Sequence, residues 1–211
     1  MVIPNLYEAG NPNIVSVGLQ DVATGKSRTN LYAGLLSGAS AGANQGYNGV
    51  LSNVTFFSDE IWKVMPNTEK AIFDMEFDLP QTVEGRTIVQ VPLVLDAVGD
   101  ASPNSSWAII GIEKVLNDDS VLGLVSGASR TIAPGGAIIS GGMVVTVFDM
   151  PRTGFKKGEK LRLKLEAAFT GAGTTNYMGF DPMGRQPFTL SDGSTTVPSS
   201  TIIQIPFKID L

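Results

Sequence analysis

Apolar and polar residues alternate with period two along much of this chain, most regularly between Lys160 and Leu211. Leu161, Leu163 and Leu165 fall on one side of an extended backbone, and Lys160, Arg162, Lys164 and Glu166 fall on the other. That spacing predicts a half-buried strand. Thr201 to Leu211 repeats it: Ile203, Ile205, Phe207, Ile209 and Leu211 alternate with Gln204, Pro206, Lys208 and Asp210. Strands this one-sided need other strands to cover their apolar faces.

Further strands follow from the same reasoning. Phe73, Met75, Phe77 and Leu79 alternate with Asp74, Glu76 and Asp78 until Pro80. Val89, Val91, Leu93 and Leu95 share a face, with Pro92 on the opposite parity. A proline cannot donate to a ladder, so this strand is expected at an edge or bulged. Trp107 to Val115 and Val121 to Val125 flank Asn117-Asp118-Asp119-Ser120, residues that turn a hairpin by bonding back to the local backbone. Met143 to Phe148 is another strand, 54–57 and 61–65 are shorter pieces, and 171–200 reads as a long loop region with one short strand at 187–190. No amphipathic helix is visible, so parallel α/β topology is disfavoured. The expected fold is an all-β antiparallel sandwich, a jelly roll of about eight main strands.

Residues 1–50 differ. They hold only four charged side chains, Glu8, Asp21, Lys26 and Arg28, and from Gly34 to Gly49 they are dominated by Gly, Ala, Ser and Asn. Gly34, Gly38, Gly42 and Gly46 are spaced by four. Each interior glycine costs a helix in water about 1 kcal/mol. The stretch is therefore expected as an extended arm with a flexible loop, ahead of a sandwich domain over 51–211.

Composition narrows the chemistry. The chain has 211 residues, no cysteine and no histidine. Disulfides, thiolate nucleophiles, imidazole bases and Ser-His-Asp triads cannot be built from it. A net charge of -5 argues against nonspecific phosphate binding. The N-terminus has no basic or apolar leader region, and no apolar run approaches the ~18 residues of a membrane span, so neither a secretory signal nor a membrane helix is expected.

Several constellations remain. Thr24-Gly25-Lys26-Ser27 looks like the end of a phosphate loop, but Gln20 stands where the required glycine should be. Asp74, Glu76 and Asp78 form a row of carboxylates, and Lys160, Arg162 and Lys164 form the opposite row. Like charges stacked on a strand repel, so the rows are expected to neutralise each other, as neighbouring strands or as a subunit contact. The acidic row alone offers a weaker calcium reading without the spacing of a binding loop. Arg152 to Lys164 holds six cations but only Phe155 for stacking, which makes nucleic acid an unlikely partner. Glu76, Glu113 and Glu166 are candidates for a carboxylate-pair glycosidase. Trp62 and Trp107 sit in apolar strand patterns and are expected in the core. Tyr177, Phe180 and Phe188 are candidate ligand contacts in the long loop region. Two glycosylation sequons, at Asn53 and Asn104, are read as chance.

The run Phe155-Lys-Lys-Gly-Glu-Lys-Leu-Arg-Leu-Lys-Leu-Glu166 and the terminal Thr201-Ile-Ile-Gln-Ile-Pro-Phe-Lys-Ile-Asp-Leu211 resemble the jelly-roll structural proteins of viruses and bacteriophages. The resemblance implies a capsid, minor capsid or decoration protein of the virion. Such a protein is no enzyme, has no cofactor or metal, and packs against its own copies or other virion proteins. Its arm has only Lys26 and Arg28 as cations, fewer than a genome-facing arm carries. A lectin-like sandwich that binds glycan is the second expectation, and the glycosidase is the third.

Overall fold

Most of the expected segments become strands: 54–57 does not, the strand through Phe73 and Met75 ends at Glu76, and 209–211 lie outside the described residues. The computed structural model describes residues 26–40, 47–66, 69–96, 105–128, 139–170 and 175–208, and no helix occurs among them. The strands are β1 (Lys26–Ser40), β2 (Tyr47–Ser52), β3 (Trp62–Val64), β4 (Lys70–Glu76), β5 (Gln81–Asp96), β6 (Ser105–Val115), β7 (Val121–Ala128), β8 (Ile139–Phe155), β9 (Lys160–Thr170), β10 (Thr175–Gly179), β11 (Phe188–Thr189), β12 (Thr196–Val197) and β13 (Thr201–Lys208).

All but β11 and β12 join one large mixed sheet, in the order β3-β10-β5-β13-β1-β2-β4-β9-β6-β7, with β8 also on β5. The protein is all-β, as expected, although β2 and β4 run parallel. The sheet folds over on itself as a sandwich. Phe77, just after β4, packs on Phe155 at the end of β8 (4.6 Å between ring centroids) and on Phe207 of β13 (6.1 Å). Leu161, Leu163 and Leu165 of β9 face the same core as Val89, Val91 and Leu93 of β5 and Ile203 and Ile205 of β13. Burial of those aliphatic and aromatic side chains drives the closure.

Pro92 is not at an edge. β13 pairs with β5 as far as Gln90, and β10 takes over from Leu93. Pro92 falls in the interval between the two ladders.

The expected loose lead-in also needs correction. Residues 26–40 form β1, held between β13 and β2 in the middle of the sheet. Gly34 of β1 and Gly49 of the neighbouring β2 serve close packing. A Cβ on Gly34 would lie 2.6 Å from the Phe56 ring, and one on Gly49 would lie 2.5 Å from the Phe73 ring. The side chains of Phe56 and Phe73 occupy the space a larger residue would need. Residues 1–25, with the phosphate-loop look-alike at 24–25, and Gly42, Gly46 and Asn104 lie outside the described residues.

The outer face of β4, β9 and β6 explains the two charge rows. Asp74 lies opposite Arg162 and Glu76 opposite Lys160. The Arg162 guanidinium donates to both Asp74 oxygens, at 2.7 and 2.8 Å. Lys164 reaches sideways to Glu113 at 3.4 Å. Asp78 follows β4 in an exposed bend. The rows are thus neighbours within one chain, where such pairs act on register more than on stability.

A more buried pair braces the turn between β8 and β9. The Glu159 side chain is only 6% exposed, and Lys114 Nζ lies 2.6 Å from it. The Lys156 N–H also donates to it at 2.6 Å. Burial would raise the Glu159 pKa, but the Lys114 and Lys156 hydrogen bonds and charges outweigh burial and hold it below its ordinary value.

Two expected outcomes follow. Gly49→Val should lower stability by about 1–3 kcal/mol in urea titration, because a Cβ there would collide with the Gly34 carbonyl oxygen and with the Phe73 ring, and neither can withdraw from a packed sheet. A loss below the error of the titration would contradict the packing role. Because the folded Glu159 pKa is depressed, its contribution is present above the unfolded value of 4.5 and is lost as pH falls through the folded value. The stability advantage of wild type over Glu159→Gln, measured by thermal melts, should therefore be full near neutrality and shrink below about pH 4.5.

Candidate ligand-binding site

Two segments far apart in sequence meet at the β3 edge of the sheet. One runs from Phe57 into β3, and the other from Phe180 to Thr189. Ser58 is buried and anchors the first: its hydroxyl accepts the Leu35 N–H at 3.0 Å and lies 2.8 Å from the Glu60 carbonyl. The Asp59 N–H donates to the Leu35 carbonyl at 3.0 Å, and the Phe180 N–H donates to the Ile61 carbonyl at 2.9 Å.

The second segment opens with Asp181-Pro182-Met183-Gly184. The Gly184 N–H closes a turn on the Asp181 carbonyl at 3.0 Å. Asp, Pro and Gly at these positions are favoured in a type I turn. The Asp181 side chain has no solvent exposure. A carboxylate in that setting costs several kcal/mol unless it is paired and hydrogen-bonded. It accepts the backbone N–H groups of Met183 and Arg185 and the Arg185 Nε, the last at 3.0 Å. The same guanidinium donates through Nη2 to the Ser58 carbonyl at 2.6 Å and lies 3.8 Å from the centre of the Phe57 ring. Arg185 thus ties both segments together.

Between them lies an open cleft of about 530 Å³, lined by Asp59, Glu60, Ile61 and Trp62 on one side and Gln186, Pro187, Phe188 and Thr189 on the other. The Trp62 indole N–H bridges the cleft to the Gln186 carbonyl at 2.9 Å. Trp62 meets Phe188 edge-on at 5.2 Å, and Tyr177 stacks at a tilt on Phe188 at 5.4 Å. Glu60 carries a salt bridge to Lys63 at 2.9 Å, and the Lys63 ammonium lies 4.6 Å from the Tyr47 ring centre.

Of the three aromatics expected to touch a ligand, Tyr177 and Phe188 come together here and are half-buried. Phe180 does not: it has no exposure and packs on Phe73 at 5.0 Å. Its parity places it inside the sandwich. Trp62, expected in the core, is half-buried at the cleft, because β3 is only three residues long and lies at the sheet edge. Trp107 stands on β6 opposite Ala168. Glu76, Glu113 and Glu166 lie among cations on the outer face of β4, β9 and β6, with Glu113 bonded to Lys164 and Glu166 opposite Lys70. They do not form a convergent acid pair. No group of three or more acidic side chains that could hold a metal ion occurs among the described residues.

No protein-family model matches the sequence, and no curated protein matches it. Solved structures do share the fold. A CocE/NonD family hydrolase from Staphylococcus aureus aligns with 86% of this chain and 37% of its own, at TM-score 0.53 and 11% identity. An α-amino acid ester hydrolase aligns with 85% of this chain and 36% of its own, at TM-score 0.55 and 8% identity. An aminopeptidase from a marine sediment Thaumarchaeota archaeon aligns with 88% of this chain and 37% of its own, at TM-score 0.51 and 9% identity. The chain therefore spans little more than a third of the length of these hydrolases. At such identities the likeness is one of fold.

These neighbours correct the functional expectation. The virion role rested on strand pattern, which is common to many sandwiches. The lectin-like alternative rested on Tyr177, Phe180 and Phe188, of which Phe180 is buried, and the glycosidase on Glu76, Glu113 and Glu166, which do not converge. The expectation of a protein outside enzymology is corrected by the fold neighbours, since the three solved structures named above, which share this fold, are enzymes.

Removal of one partner from the brace should be costly. Arg185→Ala would leave the Asp181 charge buried beside backbone donors alone, and a loss of about 2–4 kcal/mol is expected in urea titration. Arg185→Lys should recover only part of it, because an ammonium cannot span Asp181 and the Ser58 carbonyl as a fork. Full recovery by lysine would contradict the bridging role.

Proposed function

We propose that this chain is the β-sandwich component of a hydrolytic enzyme acting on ester or amide bonds, and that its cleft at Trp62 and Phe188 holds part of the substrate. One observation carries the reading. A buried carboxylate paired with Arg185 fixes a loop whose Pro187 and Phe188 then line an open cleft. Burial of Asp181 makes sense where a loop must be held in one shape, because pre-organised contacts bind with less loss of entropy. Flat aromatic walls with a few polar groups are the usual lining of a small-molecule site.

The hydrolase part of the reading draws support from the fold neighbours. Within these 211 residues there is no imidazole or thiol to act as base or nucleophile. The cleft is given the part of substrate contacts, and the reacting group is left to other residues of the enzyme.

The test uses phenyl acetate and acetanilide, a neutral ester and a neutral amide, titrated into isotopically labelled protein. The Trp62 indole resonance, assigned by its loss in Trp62→Phe, should shift saturably with at least one of them. Trp62→Ala, followed at the Phe188 backbone amide resonance, should weaken that binding about tenfold, as loss of an aromatic anchor does. The absence of any saturable response to both probes would overturn the reading.

A further inference from the structure

We infer that the cleft selects a positively charged group, an ammonium or guanidinium carried on a flat apolar body. The inference rests on the substrate-holding reading above and concerns the chemistry that the cleft prefers.

Three observations point this way. The side chains that line the cleft include two carboxylates, Asp59 and Glu60, and no cation. Lys63 offsets the charge of Glu60 at 2.9 Å, so the rim with Lys63 included still keeps one net negative charge. Both carboxylate residues are exposed, so they attract a cation without a desolvation cost of their own.

The walls favour the same sign. An aromatic face is the negative end of the ring quadrupole, and an indole is the strongest of the three aromatic acceptors for a cation. This end of the molecule already uses that attraction twice. Arg185 lies 3.8 Å from the Phe57 ring centre, and Lys63 lies 4.6 Å from that of Tyr47. The Trp62 indole spends its one donor on the Gln186 carbonyl, so it offers a ligand its ring and not a hydrogen-bond donor. An anionic ligand would meet two carboxylates and no lining cation, and the carboxylates repel it.

The two contributions are separable. The ring attraction acts at contact distance and resists salt, whereas the pull of exposed carboxylates is screened within about 8 Å at physiological ionic strength.

The experiment compares phenethylammonium with 2-phenylethanol, which have nearly the same shape and differ in charge. Binding is followed at the Trp62 indole resonance in the intact chain. Phenethylammonium should bind about tenfold more tightly at low ionic strength, from the ring and carboxylate attractions together. In the double variant Asp59→Asn, Glu60→Gln the ratio of the two affinities should fall to about twofold, with 2-phenylethanol measured in the same variant as the reference for any change in cleft shape. Salt at 0.5 M should have the same effect on wild type. Equal affinity for the two probes would overturn the cation preference and leave the substrate-holding reading in place. A preference that survives both salt and the double variant would overturn the role of Asp59 and Glu60. Failure of both probes to bind would overturn the substrate-holding reading along with this one.

Discussion

The Asp181–Arg185 pair is the interaction on which the functional end of this molecule depends. A carboxylate with no solvent exposure is stable only where donors surround it, and here they come from its own turn and from the guanidinium four residues on. The second arm of that guanidinium crosses to Ser58, a residue fixed in turn to β1 through Leu35. A chain of three contacts thus links the loop to the central sheet. Gln186, Pro187 and Phe188 follow directly, and their positions are set by it.

The sandwich itself is held by a different economy. Its two layers share one apolar core, and its outer face on β4, β9 and β6 is covered by alternating charge. The cross-strand Asp74–Arg162 fork fixes register there and adds little to stability, since the pair is only partly buried. Core burial and brace therefore act on different properties: the first decides whether the chain folds, the second how one edge of it is shaped.

The sequence was legible wherever one rule governed a segment. Period two located β4, β5, β9 and β13, because β4, β9 and β13 face core mainly on one side, the Asn117–Ser120 turn marked β6 and β7, and the opposed charge rows were visible from residue type and parity. Three things were not. Glycine-rich composition around Gly34 and Gly49 reads as flexibility, yet these residues are small because rings from Phe56 and Phe73 lie against them. Nothing local announces a contact with a ring elsewhere in the chain. Trp62 looked like core because its neighbours are apolar, and only the shortness of β3 at the edge exposes it. Asp181-Pro182-Met183-Gly184 does carry a turn signature, and Arg185 after it was the available clue to the brace. The pairing with Ser58, 127 residues away, is a tertiary fact.

The central claim is that Asp181 and Arg185 act as one device that shapes the cleft for a ligand. A double-mutant cycle on Asp181→Asn and Arg185→Leu, with phenethylammonium affinity as the readout, tests it most directly. The account predicts that each single variant weakens binding and that the double variant is no weaker than the poorer single. Independent, additive effects, or wild-type affinity in every variant, would contradict it.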